Sequence, residues 1–357
     1  MKKRNIMFAV GRFFSPLYSL LMLLRETMYS HHLFSVTRLG VPVISVGNLT
    51  LGGTGKTPMV QYIARILQAQ GRKPAIISRG YGGSTREKVN VVSAGEEPLL
   101  DAGFIGDEPR LLAETLPGVL VLTGVSRKFP AARAVELGAD VLILDDGFQH
   151  LALGRDLDLV LFNADTLAGN SRVFPGGDLR EPTRALRRCH GFVLTGTCEA
   201  NRDRAQRFAG LLRHRFPGRP VFFAQYQVDC LVQLMADGQV QAAAGLLPGE
   251  EPCFGFSGIA RPESFQQTLA ALGIKTAGFC SLPDHFRYRG AGIKDLVRQA
   301  EQCGAGALIT TEKDLVKLRR HAVSLPLYAV RMKVVPDRDF DRFVLDGLAA
   351  MSSRHCV

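Results

Sequence analysis

The feature that most constrains this chain is the run Gly52-Gly53-Thr54-Gly55-Lys56-Thr57, set between an apolar stretch at 41–46 and a helical pattern at 58–70. Glycines in such a turn let backbone N–H groups point inward, and the helix N-terminus that follows adds partial positive charge. Strand, loop and helix in this order therefore hold phosphate. The Gly-Lys-Thr ending offers Lys56 to β- and γ-phosphates and the Thr57 hydroxyl to Mg²⁺, while Gly52, Gly53, Thr54 and Gly55 form the cradle. Pro58 falls just inside the helix, where no N–H donor is needed. The usual pattern has glycine at position 50, where this chain has Thr50, so Gly47 at the strand end is expected to supply the turn.

A phosphate loop of this kind needs a carboxylate at the end of another strand. The apolar run 141–144 leads into Asp145-Asp146, and either or both acids are expected to hold Mg²⁺. The plainer role for them is a turn ahead of Gly147. Further apolar runs at 75–78, 119–123, 157–163 and 191–195 are interleaved with helical patterns at 108–116 and 129–138. This predicts an α/β fold, a P-loop NTPase-like parallel sheet with helices on both faces and ligands beyond the strands' carboxyl ends.

The pattern changes after Pro220. Extended runs at 221–235 and 240–244 flank Asp237-Gly238, a hairpin signal, and βα alternation then resumes at 253–256, 262–272, 293–302 and 307–310. A chain of 357 residues exceeds what one core usually serves. The expected organisation is an N-terminal helix at 1–30, a P-loop domain at 31–224, a β-hairpin linker at 225–246, and a smaller α/β domain with a C-terminal helix at 247–357.

Lys and Arg number 44 against 33 Asp and Glu, a net +11 that favours nucleotides, nucleic acid or an acidic lipid surface. No zinc spacing, RNA-binding aromatic signature or basic repeat accompanies the charge, so a nucleic-acid partner is not expected. The seven cysteines form no CxxC pair and read as reduced thiols. Lys2, Lys3 and Arg4 precede an apolar run at 13–24 that is followed by no small-residue cleavage site. As a helix this run spans about 18 Å against a hydrocarbon core of about 30 Å. It reads as a helix lying in the membrane interface, with a buried core helix as the alternative.

The series Gly47-Asn48, the glycine loop through Pro58, Ser78-Arg79-Gly80-Tyr81-Gly82, Gly106-Asp107-Glu108-Pro109, Asp145-Asp146-Gly147-Phe148-Gln149-His150, Leu179-Arg180-Glu181-Pro182 and Pro283-Asp284-His285-Phe286 resembles the tetraacyldisaccharide 4′-kinases of the lipid A pathway. The resemblance covers most of the chain. It implies transfer of phosphate from ATP, with Mg²⁺, to the 4′-hydroxyl of an acylated disaccharide 1-phosphate, by a peripheral or monotopic enzyme at the cytoplasmic face of the inner membrane. It assigns ATP and Mg²⁺ roles to Lys56, Thr57, Asp145 and Asp146, and proximity to the phosphates to Arg180 and Glu181. Asp107 becomes the catalytic base, with His285 as its partner. From the residues alone Asp107 reads as a helix N-cap and Arg180 as a surface ion pair. Gln149 and His150 read as turn residues able to meet nucleotide or substrate. Arg79, Tyr81 and Arg127 are candidates for the sugar or its phosphate, against the usual exposure of loop cations.

Two rivals share parts of the pattern. Membrane-associated P-loop switch NTPases also carry GGxGKT, typically with lysine before the glycine pair, where this chain has Leu51. A kinase for another lipid-linked hydroxyl fits as well, because catalysis by positioning and charge neutralisation does not reveal the acceptor.

Overall fold

The computed structural model describes residues 8–355 apart from 86, 97, 101, 244–251 and 285, with backbone only at 352–355. Lys2, Lys3, Arg4, His285 and the expected boundary at 246/247 lie outside the described residues. The first half comprises α1 (Ser15–Ser30), β1 (Val43–Asn48), α2 (Lys56–Ala69), β2 (Pro74–Ser78), β3 (Asn90–Ala94), α3 (Ala102–Ile105), α4 (Asp107–Thr115), β4 (Leu120–Thr123), α5 (Lys128–Glu136), β5 (Val141–Asp145), β6 (Leu157–Asn163), β7 (Gly191–Thr195) and α6 (Arg202–Arg215). The second half follows with β8 (Val221–Leu234), β9 (Val240–Ala242), β10 (Cys253–Ser257), α7 (Pro262–Ala271), β11 (Thr276–Ser281), α8 (Gly290–Gln302), β12 (Ala307–Thr311), α9 (Glu312–Leu318), β13 (Leu327–Pro336) and α10 (Asp339–His355).

One sheet runs through both halves in the order β11-β10-β12-β13-β8-β7-β6-β1-β5-β2-β4-β3, with β9 added to β8. From β8 to β4 the strands are parallel, and β3 closes that edge antiparallel. Strands β1, β2, β5, β6 and β7 are buried along their whole length, as their two-sided apolar sequence requires. Helix α2 buries Met59, Val60, Ile63, Ala64 and Leu67 against this sheet. Its N-terminus is thereby held over the carboxyl end of β1.

Two parts of the expected organisation differ from the structure. The 224/225 boundary falls inside β8, a single 14-residue strand. Residues 221–224 pair with β7, and residues 224–234 pair antiparallel with β13, so the segment expected as a linker is a strand common to both halves. The sequence cue was the Asp-Gly turn, which is real but joins β8 only to the three-residue β9. The C-terminal helix, expected with the smaller domain, returns to the first half. Phe340, Val344, Leu348 and Met351 recur at helical spacing and enter the core of Ile44, Met59, Ile63 and Leu157. Tyr62 Oη donates to Asp341 Oδ1 at 2.8 Å across that contact.

Helix α1 buries none of its residues, which removes the core-helix alternative. Its polar side docks on the first half. Ser15 Oγ donates to the Val173 carbonyl at 2.9 Å, Tyr18 Oη to the Arg180 carbonyl at 3.1 Å, and Arg25 to the Gln149 carbonyl at 2.9 Å. Glu26 pairs with Arg188 at 2.8 Å. The opposite side exposes Phe13, Phe14, Leu17, Leu20, Leu21 and Leu24, each more than half exposed. Among the described residues no helix is long and apolar enough to cross a membrane.

Candidate functional site

Val46 of β1 lies opposite Asp145 of β5, so the glycine loop and the acidic turn leave the sheet side by side. The loop departs from the expected source of its turn. Gly47 lies inside β1, where a Cβ would come within 2.5 Å of Phe148 Cβ. Thr50 is still extended, bridged to Leu179, so no glycine is needed there. The chain turns at Gly52, with φ +114°, and at Gly55, with φ +73°. A Cβ on Gly55 would lie 1.7 Å from Tyr226 Oη. Asn48 Nδ2 donates to the Thr50 carbonyl at 2.7 Å, and Thr195 Oγ1 to the Thr54 carbonyl at 2.8 Å. Thr57 lies in the first turn of α2, half-buried.

Lys56 Nζ reaches Asn48 Oδ1 at 3.3 Å and Asp146 Oδ1 at 3.4 Å. Asp146 adopts φ +54°, a left-handed conformation that aspartate tolerates better than most residues, which places its carboxylate between Lys56 and Arg180. Arg180 Nη1 bonds both Asp146 oxygens at 2.8 Å and Gln149 Oε1 at 3.4 Å. Burial pushes the Asp146 carboxyl up, but Lys56 and Arg180 outweigh it and leave the pKa below the ordinary value. Asp145 behaves oppositely. It is fully buried, and burial, with Glu108 and Asp146 beside it, pushes it up to about 7. Ser78 Oγ donates to its Oδ2 at 3.3 Å, while Oδ1 is buried and accepts no hydrogen bond from the described residues. A carboxylate oxygen left so, next to a phosphate cradle, fits a divalent cation or its water shell. Arg127, only 6% exposed, donates to the Asp145 and Asp146 carbonyls at 3.2 and 3.1 Å, so it braces the acidic turn from behind.

The loop at 79–83 packs backbone-to-backbone on the turn before α4: a Cβ on Gly106 would come within 2.4 Å of the Tyr81 carbonyl oxygen. Gly106 has φ +99° and is the N-cap of α4, and Asp107 is the first residue within the helix. The N-cap reading of Asp107 therefore does not hold. The acid points instead toward the second half, where Lys317 Nζ lies 3.4 Å from its Oδ2. A cavity of about 770 Å³ opens beside it, lined among others by Tyr81, Arg287, Arg289, Lys317 and Arg320. Arg79 is exposed at the end of β2, beside this loop.

A family model described as tetraacyldisaccharide-1-P 4′-kinase (LpxK) matches residues 8–349. The chain belongs to the tetraacyldisaccharide 4′-kinase family. The curated tetraacyldisaccharide 4′-kinase of Desulfotalea psychrophila is 45% identical over 351 residues, 98% of this chain and 99% of that one. That of Syntrophus aciditrophicus is 41% identical, covering 93% and 91%. A crystal structure of LpxK from Aquifex aeolicus, an "apo" form in complex with ATP, has a TM-score of 0.74 and 31% identity over 94% of this chain and 97% of that chain.

The structure brings most of the residues that the family resemblance singles out into one region. Lys56, Asp146, Arg180 and Gln149 form a connected polar group at the loop, with Asp145 next to Asp146 in the acidic turn, and Gln149 Nε2 donates to the Asn48 carbonyl at 3.0 Å. Glu181 is placed differently: buried, it pairs at 2.7 Å with Arg188, whose other amino group holds Glu26 of α1. It thus links α1 to the phosphate site rather than facing the loop. Sequence reasoning missed Thr195 and Tyr226, which stand on β7 and β8 and close the far wall of the loop. Nothing near them in sequence marks them; their importance arises from strand neighbours.

Burial, followed by the fields of Arg127 and Arg155, lowers His150 to about 4. A base whose folded pKa lies below the unfolded value contributes stability that is present above pH about 6.5 and is lost as pH falls through about 4. His150→Gln should therefore flatten the decline of melting temperature across that window. An unchanged slope in pH-dependent melts would contradict a neutral buried imidazole.

Proposed function

We propose that this chain transfers the γ-phosphoryl group of ATP to the 4′-hydroxyl of a tetraacyldisaccharide 1-phosphate at a membrane surface. The observation that carries the reading is the adjacency of the glycine loop and the acidic turn, in a chain aligned almost end to end with that family. The backbone N–H groups of 52–56 and the Lys56 ammonium grip the phosphates, and Arg180 is poised to offset charge on the equatorial oxygens. Thr57 and Asp145, with Asp146, would hold Mg²⁺; bound there, the ion neutralises charge on the β- and γ-phosphates. Asp107 takes the proton of the acceptor hydroxyl as its oxygen bonds phosphorus and the bond to the departing ADP breaks. His285 partners Asp107 by family resemblance. Tyr81 lines the opening beside Asp107 and Arg79 stands two residues before it in the same loop, and both are assigned to the sugar; Gln149 meets the loop through Asn48, and His150, next to it, is assigned with it to nucleotide or substrate. The buried placement of Arg127 favours bracing of the metal turn over direct contact with substrate.

Membrane contact is assigned to α1. It binds the protein through its polar side and exposes Leu17, Leu20, Leu21 and Leu24, with Phe13 and Phe14 just before it, the reverse of a helix packed on a core. Each leucine withdrawn from lipid costs about 1.5–3 kcal/mol. Replacing Leu17, Leu20 and Leu24 together by glutamine should lower partitioning into vesicles by at least about 100-fold while leaving turnover in detergent micelles unchanged. Vesicle sedimentation measures this, and undiminished binding would remove the assignment.

The reaction itself is tested with γ-labelled ATP and a tetraacyldisaccharide 1-phosphate. Label at the 4′ position supports the proposal; ATP turnover that labels no sugar would instead favour a switch NTPase.

A further inference from the structure

Helix α9 of the second half is fastened to α4 by a row of ion pairs. Lys313 lies 3.7 Å from Glu108, Lys317 lies 3.4 Å from Asp107, and Arg319, just past the helix end, lies 2.7 Å from Glu114. Lys317 differs from its neighbours in burial: its side chain is 8% exposed, against 22% for the other two. A lysine in such a position is costly unless it is paired. It is paired twice, because its Nζ also donates to Asp314 Oδ1 at 3.1 Å. Asp314 is fully buried and anchored in turn. Its Oδ2 accepts from Gly258 N at 2.9 Å, at the end of β10, and from Thr311 Oγ1 at 2.9 Å. The face of Tyr288 stands 5.7 Å from the ammonium.

We propose that Lys317 is a positioning residue for Asp107, holding the carboxylate in the orientation that accepts the acceptor hydroxyl's proton. The inference rests on the reading of Asp107 as the base. The chain Gly258–Asp314–Lys317–Asp107 keys that acid to the end of β10. A carboxylate on the first turn of a helix has more than one staggered rotamer. The ammonium, fixed in turn by Asp314, favours the rotamer that brings Asp107 Oδ2 to 3.4 Å from it. Because Asp314, Lys317 and Gly258 all belong to the second half, Asp107 is aligned only when the two halves are apposed as here. The lysine itself touches neither phosphate nor leaving group in this scheme and transfers no proton.

The test compares Lys317→Met, Lys317→Arg, Asp107→Asn and the double variant Lys317→Met/Asp107→Asn in steady-state kinetics with ATP and the tetraacyldisaccharide 1-phosphate. A positioning role predicts that Lys317→Met lowers kcat by about 50-fold or more with KM for both substrates within about 2-fold, and that Lys317→Arg recovers most of the loss. It also predicts that the double variant is no slower than Asp107→Asn, within about 2-fold, because the lysine acts through the acid. The proposal is overturned if Lys317→Met keeps kcat within about 3-fold, or if the two losses multiply. Should Lys317→Met not fold, the same criteria apply to Lys317→Met/Asp314→Asn, which removes the buried counter-charge while keeping an acceptor for Gly258. An active Asp107→Asn enzyme would defeat the base assignment itself. An inactive Asp107→Asn beside a fully active Lys317→Met would defeat the positioning role alone.

Discussion

Lys56→Ala is expected to reduce phosphoryl transfer by about 10³-fold while the protein remains folded. The ammonium stands at the mouth of the glycine loop, 3.3 Å from Asn48 and 3.4 Å from Asp146. In catalysis its work is to meet charge that grows on the transferring group, and alanine offers nothing in its place. The structural cost is small, because Asp146 keeps Arg180 at 2.8 Å. The pair is part-buried, with side chains 14% and 34% exposed, so its loss is expected to change stability by about 1–2 kcal/mol, between the figures for exposed and buried pairs. Turnover measured beside a thermal melt separates the two effects. Full activity with an unchanged melt would refute the phosphate-loop assignment; inactivity with a collapsed melt would move Lys56 to a structural role.

The second large effect is expected at Asp107→Asn. General-base catalysis contributes typically about 10²–10⁴-fold, and the amide cannot take the proton, so kcat should fall within that range with ATP affinity unchanged. The residue is in the first turn of α4, and the charge–dipole contribution that asparagine removes from the helix is about 0.3–1 kcal/mol. Lys317 retains Asp314 as a partner. Nucleotide binding by equilibrium titration, alongside turnover, provides the check. A variant that turns over normally but melts early would return Asp107 to a helix-stabilising role.

How much of this was legible depends on how local the cause is. The stretch from β1 through the glycine loop into α2 could be read directly, because two-sided apolar strands and phosphate-binding turns leave signatures within a few residues. The same holds for β5 and its two acids. The different fates of those acids could not be read. Asp145 and Asp146 are adjacent in sequence, yet one is buried with an unsatisfied oxygen and the other is held by Lys56 and Arg180. That difference comes from the left-handed turn at Asp146 and from residues far along the chain. Tyr226, Thr195 and Lys317 were invisible for a related reason. Each acquires its role across the sheet or across the two halves, and no spacing rule connects position 317 with position 107. The apolar run at 13–24 left two readings open in sequence; the structure removes the core helix by showing which side of α1 meets the protein.

The strand shared by both halves has a mechanical consequence. β8 begins beside β7 under the glycine loop, carries Tyr226 against Gly55, and then pairs with β13 from Leu327↔Leu234 to Pro336↔Ala224. A two-stranded ribbon twists readily, and the irregularity between Arg331 and Met332 marks where it bends most easily. Sliding along it would break the whole ladder at once. Any displacement of the outer half would therefore twist this ribbon, which is anchored beside the glycine loop, and a few degrees there would become ångströms at the lysines that meet Asp107.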